Sequence, residues 1–107
     1  MSQDNTIEFI SHALDAALMR QTAIASNIAN VNTPDYQTVS VNFEEQLANL
    51  SNPVDVKPSY ELSDKPASID EQIALSVQNA TQYRSLIKGL NHKLAIMKLA
   101  LQGNNQS

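Results

Sequence analysis

Ser26-Asn27-Ile28-Ala29-Asn30-Val31-Asn32-Thr33-Pro34-Asp35-Tyr36 divides this 107-residue chain into two kinds of sequence. Before it, apolar residues recur at helical spacing; after it that pattern lapses for about thirty residues. Asn27, Asn30 and Asn32 suit the end of a helix. Asparagine tolerates the left-handed conformation that closes helices, and its amide can bond the last orphaned carbonyls. Thr33-Pro34-Asp35 then stops the helix, because proline has no N–H to donate and pushes its predecessor out of helical geometry. Tyr36 lands just past the turn, where its ring can fold back on the last helical turn.

Working back towards the N-terminus, a helix is expected over Thr6–Asn30. Positions 7, 10, 14, 17, 21, 24, 28 and 31 are Ile, Ile, Leu, Ala, Gln, Ile, Ile and Val. Seven of the eight are apolar against 42% in the whole chain, and the alternating three–four spacing marks a coiled-coil seam. Leu18 and Ala25 widen the stripe. Asn5, with Glu8 three residues later, reads as a capping box. Met1–Thr6 is a polar lead-in expected to lack fixed structure in the free protein.

Working forward, Val39, Val41 and Phe43 alternate with polar residues, a short extended signal. Asn42-Phe43-Glu44-Glu45 is expected to cap a short helix reaching Leu50. Pro53, Pro58 and Pro66 punctuate Ser51–Ala67 and favour an extended or hairpin excursion. Ser68-Ile69-Asp70-Glu71 caps a second long helix. Its expected seam is 69, 73, 76, 80, 83, 87, 90, 94, 97 and 101, nine of them apolar, with Gly103 as the terminating residue. Gly89 inside this helix is read as a point where a neighbouring backbone comes close. The expected fold is all-α and elongated. An antiparallel, coiled-coil-like pair of long helices (residues 1–31 and 68–107) is joined by an irregular, Pro-rich, partly extended excursion (residues 32–67). Such a hairpin leaves apolar residues over, so it should be marginal alone and stable among copies or partners.

Composition narrows the function classes. The net charge of −4 argues against nucleic acid as the main partner. Residues 1–66 hold nine acids against three bases, and residues 67–107 hold two acids against four bases. That asymmetry suits either helix-dipole complementarity or subunits meeting acidic side to basic side. There is no cysteine. Apolar runs stop at four residues (Ala16–Met19, Leu94–Met97), too short to span a membrane. The N-terminus shows neither the basic nor the apolar region of a cleavable secretory signal. No phosphate loop, metal spacing or nucleophile constellation is present, so no catalytic residue, cofactor or metal is expected. His12 and His92 read as separate surface histidines, Glu44-Glu45 as a cap or solvated face, and Tyr83 as seam packing.

Asn27-Ile28-Ala29-Asn30-x-x-Thr33-Pro34-x-Tyr36 resembles the N-terminal signature of the bacterial flagellar rod/hook axial proteins. The resemblance covers roughly residues 9–36 and 69–103. The family usually has glycine between the proline and the tyrosine; here it is Asp35, which can reach positive φ at some cost. The resemblance implies a structural subunit of the flagellar basal-body rod, near its proximal end. Such a subunit self-assembles through its terminal helices into a drive shaft and export channel that carries torque from motor to hook. Implied partners are further copies, other flagellar rod proteins, the adaptor protein between the MS-ring and the rod, and the flagellar type III export apparatus. The residues expected to carry packing and assembly are Ile10, Leu14, Ile24 and Ile28 against Ile87, Leu90, Leu94 and Met97. Asn27, Ile28, Ala29, Asn30, Thr33, Pro34 and Tyr36 form the family turn. The alternatives are another rod subunit of the same family, or a soluble helical adaptor or export chaperone, which would hold one client in a stable 1:1 complex.

Overall fold

The computed structural model describes residues 3–49 and 56–105, with side chains for 5–46 and 56–103. In order, the elements are α1 (Gln3–Ala29), β1 (Thr38–Asn42), α2 (Glu44–Asn49), β2 (Ser59–Ser63) and α3 (Ile69–Asn105). Two long helices and a small excursion match the expected architecture. Leu50, the expected end of the short helix, lies outside the described residues, as do Pro53 and Val54.

The helices run antiparallel: Asn27 of α1 meets Gln72 of α3, and Ala17 meets Asn79. With 27 and 37 residues they are roughly 40 and 55 Å long at 1.5 Å per residue. Carried on at the same register, α1 starts opposite residues near 92. The end of α3 therefore overruns it by roughly a dozen residues.

Both helices extend past their expected ends. α1 is already helical at Gln3, so Asn5 and Glu8 lie inside it and form no capping box, and Gln3–Thr6 is ordered helix rather than a loose lead-in. Gln is a good helix former, and an acidic residue beside a helix N-terminus is favourable, so polarity alone does not delay the start. At the other end α3 passes through Gly103 to Asn105. Glycine permits a left-handed cap without imposing one, and neither glycine has positive φ. Nothing lies within 4 Å of a Cβ built on Gly89, so within one subunit no backbone approaches there. Ser68 does cap α3, its Oγ accepting from the Glu71 N–H at 3.4 Å.

The face that α3 turns inward also differs from the expected seam. Gln72, Ser76, Asn79, Leu86, Ile87, Leu90, Lys93 and Met97 are its shielded positions, so 76, 87, 90 and 97 of the expected seam turn inward, whereas Ile69, Ile73, Ala80, Leu94 and Leu101 are exposed. The inward line is thus polar where it meets α1. Opposite it, α1 presents small residues: Ala13, Ala16, Ala17 and Ala23 are all buried. Small side chains let the helices come close enough for amides on α3 to reach α1. Counting apolar residues at heptad spacing therefore misplaces the inward face at Ile69, Ile73, Ala80 and Tyr83, near the start of α3, and at Leu94 and Leu101, which are exposed.

The excursion folds back as a hairpin. β1 and β2 pair antiparallel, Thr38 with Ser63 through Asn42 with Ser59. Phe43 and Val56, which flank the strands, are buried and cluster with Ala13 and Ala16 of α1; Phe9, Val41 and Leu86 pack around them. Phe9 and Phe43 sit with ring centroids 6.1 Å apart and tilted by 31°. Each large side chain so buried contributes about 1.5–3 kcal/mol. The apolar core is therefore centred where the excursion meets the first half of α1, rather than along a continuous two-helix seam.

The subunit is 67 × 27 × 14 Å along its principal axes, little thicker than one helix. Its accessible surface is 7341 Å², against roughly 5,900 Å² for a compact monomer of this mass. The excess carries large apolar side chains: Leu18, Leu62, Val77, Leu99 and Leu101 are each more than half exposed.

Candidate functional site

Asn27 is the centre of the turn motif, and it is 1% exposed. It sits near the C-terminus of α1, but its amide does not serve the helix end. Its Nδ2 donates to the Val39 carbonyl at 2.8 Å and to Gln72 Oε1 at 3.0 Å. Its Oδ1 accepts from the Val39 N–H at 2.8 Å and from the Tyr36 hydroxyl at 3.0 Å. Two donors and two acceptors are all the amide has, so this buried polar group is fully satisfied. Because Val39 offers both its N–H and its C=O, the Asn27 amide pairs with β1 as a neighbouring strand would. It covers the edge of β1 that β2 does not. One side chain thereby ties α1, β1 and α3 together.

The rest of the motif closes the helix around that amide. The expected capping role belongs to Asn30, whose Nδ2 donates to the Ser26 carbonyl at 2.9 Å. Thr33 Oγ1 donates to Asn30 Oδ1 at 3.0 Å. Tyr36 turns back on the helix: having given its proton to Asn27, its oxygen accepts from Ser26 Oγ at 2.8 Å. Asp35 takes φ 60°, the one non-glycine residue with positive φ among the described residues, at the position where the resembled family has glycine. Ile28 and Ala29 are exposed on the far side of the helix, and Pro34 is exposed at the apex of the turn.

A second polar contact follows one α-helical stretch away. Asn79 is 6% exposed, and its Nδ2 donates to the carbonyl of Ala17 at 2.9 Å. Its Oδ1 is buried without a partner. Asn79 lines an open cleft of about 330 Å³ between α1, β1 and α3. Ala23, Ile24, Val39, Val41 and Leu75 form its apolar wall, and Arg20, Glu44, Gln78 and Gln82 its rim. Arg20 and Glu44 form an ion pair across that rim. Glu44 is largely exposed, so the pair contributes at most about 1 kcal/mol.

Of the residues expected to carry packing and assembly, Ile24 is buried, and Ile10, Leu14, Ile87, Leu90 and Met97 are partly shielded. Ile28 and Leu94 are exposed, at 38% and 47%. Gln72, Asn79, Ser26 and Val39 complete the junction and escaped the sequence reading. A signal for two of them exists: Gln72, Ser76 and Asn79 repeat at spacing four and three, opposite the alanines of α1. His12 is partly shielded, His92 is exposed, and no cluster of metal-ligating residues occurs among the described residues. No described helix is long and apolar enough to cross a membrane.

Comparison with known proteins agrees with this geometry. The family described as "Flagella basal body rod protein" matches residues 7–37, the span from the first turns of α1 to just past Tyr36. The flagellar basal body rod protein FlgB of Bacillus subtilis (strain 168) is 26% identical across 92% of this chain and 94% of its own length. FlgB of Borreliella burgdorferi is 34% identical over 44 residues, 41% of this chain and 33% of its own. The signature lies on the helix and turn that Asn27 organises, and the first of these similarities runs nearly end to end. The chain is thus similar to flagellar basal body rod proteins of the FlgB type, most specifically over α1 and the turn that follows it.

Proposed function

We propose that this chain polymerises through its two terminal helices as a subunit of the proximal rod, forming part of a hollow shaft that carries torque from motor to hook and encloses the export path. The observation that carries this reading is the surplus of apolar surface on a subunit 14 Å thick. Leu18 and Ile28 on α1, and Ile69, Ile73, Val77, Leu94 and Leu99 on α3, stand open. Neighbouring subunits would cover them. The chemistry is packing, and no catalytic, cofactor or metal role is assigned. In this reading Ile10, Leu14, Ile24, Ile28, Ile87, Leu90, Leu94 and Met97 belong to the packed interior of the assembly. Partners are further copies, the other rod proteins, the adaptor joining rod to MS-ring, and the type III export apparatus that delivers the chain.

The test is complementation of a strain lacking this protein with Ile28→Asp and Val77→Asp variants, which alter exposed positions. Swimming should be lost while expression and monomer helicity stay unchanged. Normal swimming in both variants would overturn the packing claim.

A further inference from the structure

The two-stranded sheet of the excursion has one open edge, and Asn27 fixes which groups stand there. In an antiparallel strand each residue turns its N–H and C=O to one side, and the next residue turns them to the other. Val39 gives both its groups to the Asn27 amide, so they point away from β2. Val39 is paired with Leu62, and Val41 with Tyr60. These are therefore the pairs without mutual hydrogen bonds, and Leu62 and Tyr60 turn their own N–H and C=O to the far edge of β2. None of these four groups has a hydrogen-bond partner among the described residues. They recur every two residues, roughly 6.8 Å apart, which is the spacing of a neighbouring strand.

The side chains say what kind of strand fits. Tyr60 and Leu62 are 51% and 63% exposed, although they share a sheet face with Val41, which packs on the core. Glu61 between them is exposed on the other face, accepts from Asn42 Nδ2 at 3.2 Å, and meets no base among the described residues. That carboxylate decides against a second copy of β2. Antiparallel self-pairing that uses all four free groups sets Tyr60 opposite Leu62 and Glu61 directly opposite Glu61, and like charges so placed repel. Moving the register to set Tyr60 against Tyr60 brings Leu62 opposite Pro58, which has no N–H to give. Moving it the other way sets Leu62 against Leu62 and carries Tyr60 past the end of β2, opposite Asp64.

We propose that the free edge of β2 docks an extended segment of a different protein, which adds to the sheet as a third, antiparallel strand. The backbone of that segment bonds the outward N–H and C=O of Tyr60 and Leu62. Its apolar side chains lie beside Tyr60 and Leu62, and between them a lysine or arginine stands opposite Glu61. Pro58 before β2 and Pro66 after it confine the contact to the length of the strand. The contact uses the excursion and not the terminal helices, so it forms whether or not the chain polymerises.

The probe is the synthetic peptide acetyl-Ser-Thr-Val-Lys-Ile-Thr-Ser-amide, titrated into the isotope-labelled full-length chain and followed by NMR. The control is the same peptide with Glu in place of Lys. In the free chain the Tyr60 and Leu62 amides should exchange quickly with solvent, and the Glu61 amide, paired with Ser40, slowly. The Lys peptide should shift and protect the Tyr60 and Leu62 amides and leave those along α3 unmoved. It should bind about fivefold tighter than the Glu peptide, the size of one cross-strand charge pair. Glu61→Lys should invert that preference. Leu62→Pro removes an outward N–H that β1 does not use and should abolish binding; if it disturbs the hairpin itself, the inversion at Glu61→Lys still decides. Three outcomes would each overturn the proposal: unmoved Tyr60 and Leu62 amides at millimolar Lys peptide, equal binding of the two peptides, or a dimer of the free chain that protects the same two amides.

Discussion

The two ends of the helix pair are built on opposite principles. At the turn end, Asn27 spends every hydrogen bond it has on Tyr36, Val39 and Gln72. At the other end, Leu94, Ile96, Leu99 and Leu101 stand 45% to 67% exposed. Hydrogen bonds are directional and lose most of their value when distorted, so the turn end sets the angle at which helix, hairpin and second helix leave one another. Apolar contact is non-directional and scales with area, so the open end supplies adhesion and accepts a neighbour's geometry. The lesson is that a subunit can hold its own shape with a small polar junction and keep its apolar residues for other molecules.

The sharpest way to break this comparison is Asn27→Ala. It strands the Val39 backbone groups, the Tyr36 hydroxyl and Gln72 in a buried place, and should cost about 2–4 kcal/mol, read as a lowered urea midpoint of the monomer. A cost well under 1 kcal/mol would mean that apolar packing, and not the junction, holds the hairpin. Asp35→Gly should act in the other direction. Glycine reaches φ 60° without the side-chain penalty, so the monomer should gain about 0.5–1 kcal/mol, measured in the same titration. A loss would mean that the Asp35 side chain contributes a contact of its own. The smallest effect is expected from Leu101→Ser. Removing an exposed apolar group at the open end should leave monomer stability within about 0.5 kcal/mol. A larger fall would show that the end of α3 already packs within one subunit.

Much of the plan was legible in the residues. Periodicity revealed two long helices, Ser68 announced the start of α3, and Thr33-Pro34 announced the stop of α1. Alternation at Val39 and Val41 revealed β1. The family motif was legible as a motif, but not the work of its parts. Asn27 and Asn30 look alike in sequence, one helical turn apart. One caps the helix and the other joins three elements, because only Asn27 faces the hairpin. The inward face of α3 was not legible either. The reading weighted apolar residues and included Ser76, but the face that meets α1 also carries Gln72 and Asn79, which it passed over.

By itself the sequence determined what local forces decide: where helices run, where proline ends one, which residue can sit at positive φ, and that apolar surface would be left over. Local preference acts through neighbours a few residues away and is written in their order. The tertiary structure decided that Gln72 and Asn79, rather than Ile69, Ile73 and Ala80, turn inward at the start of α3, and that Phe43 and Val56 of the excursion, not the helix seam, anchor the core. It also decided that a single amide would bridge residues as far apart as 27 and 72. Those outcomes depend on how closely two backbones approach, and the alanines of α1 set that distance only once α3 lies against them.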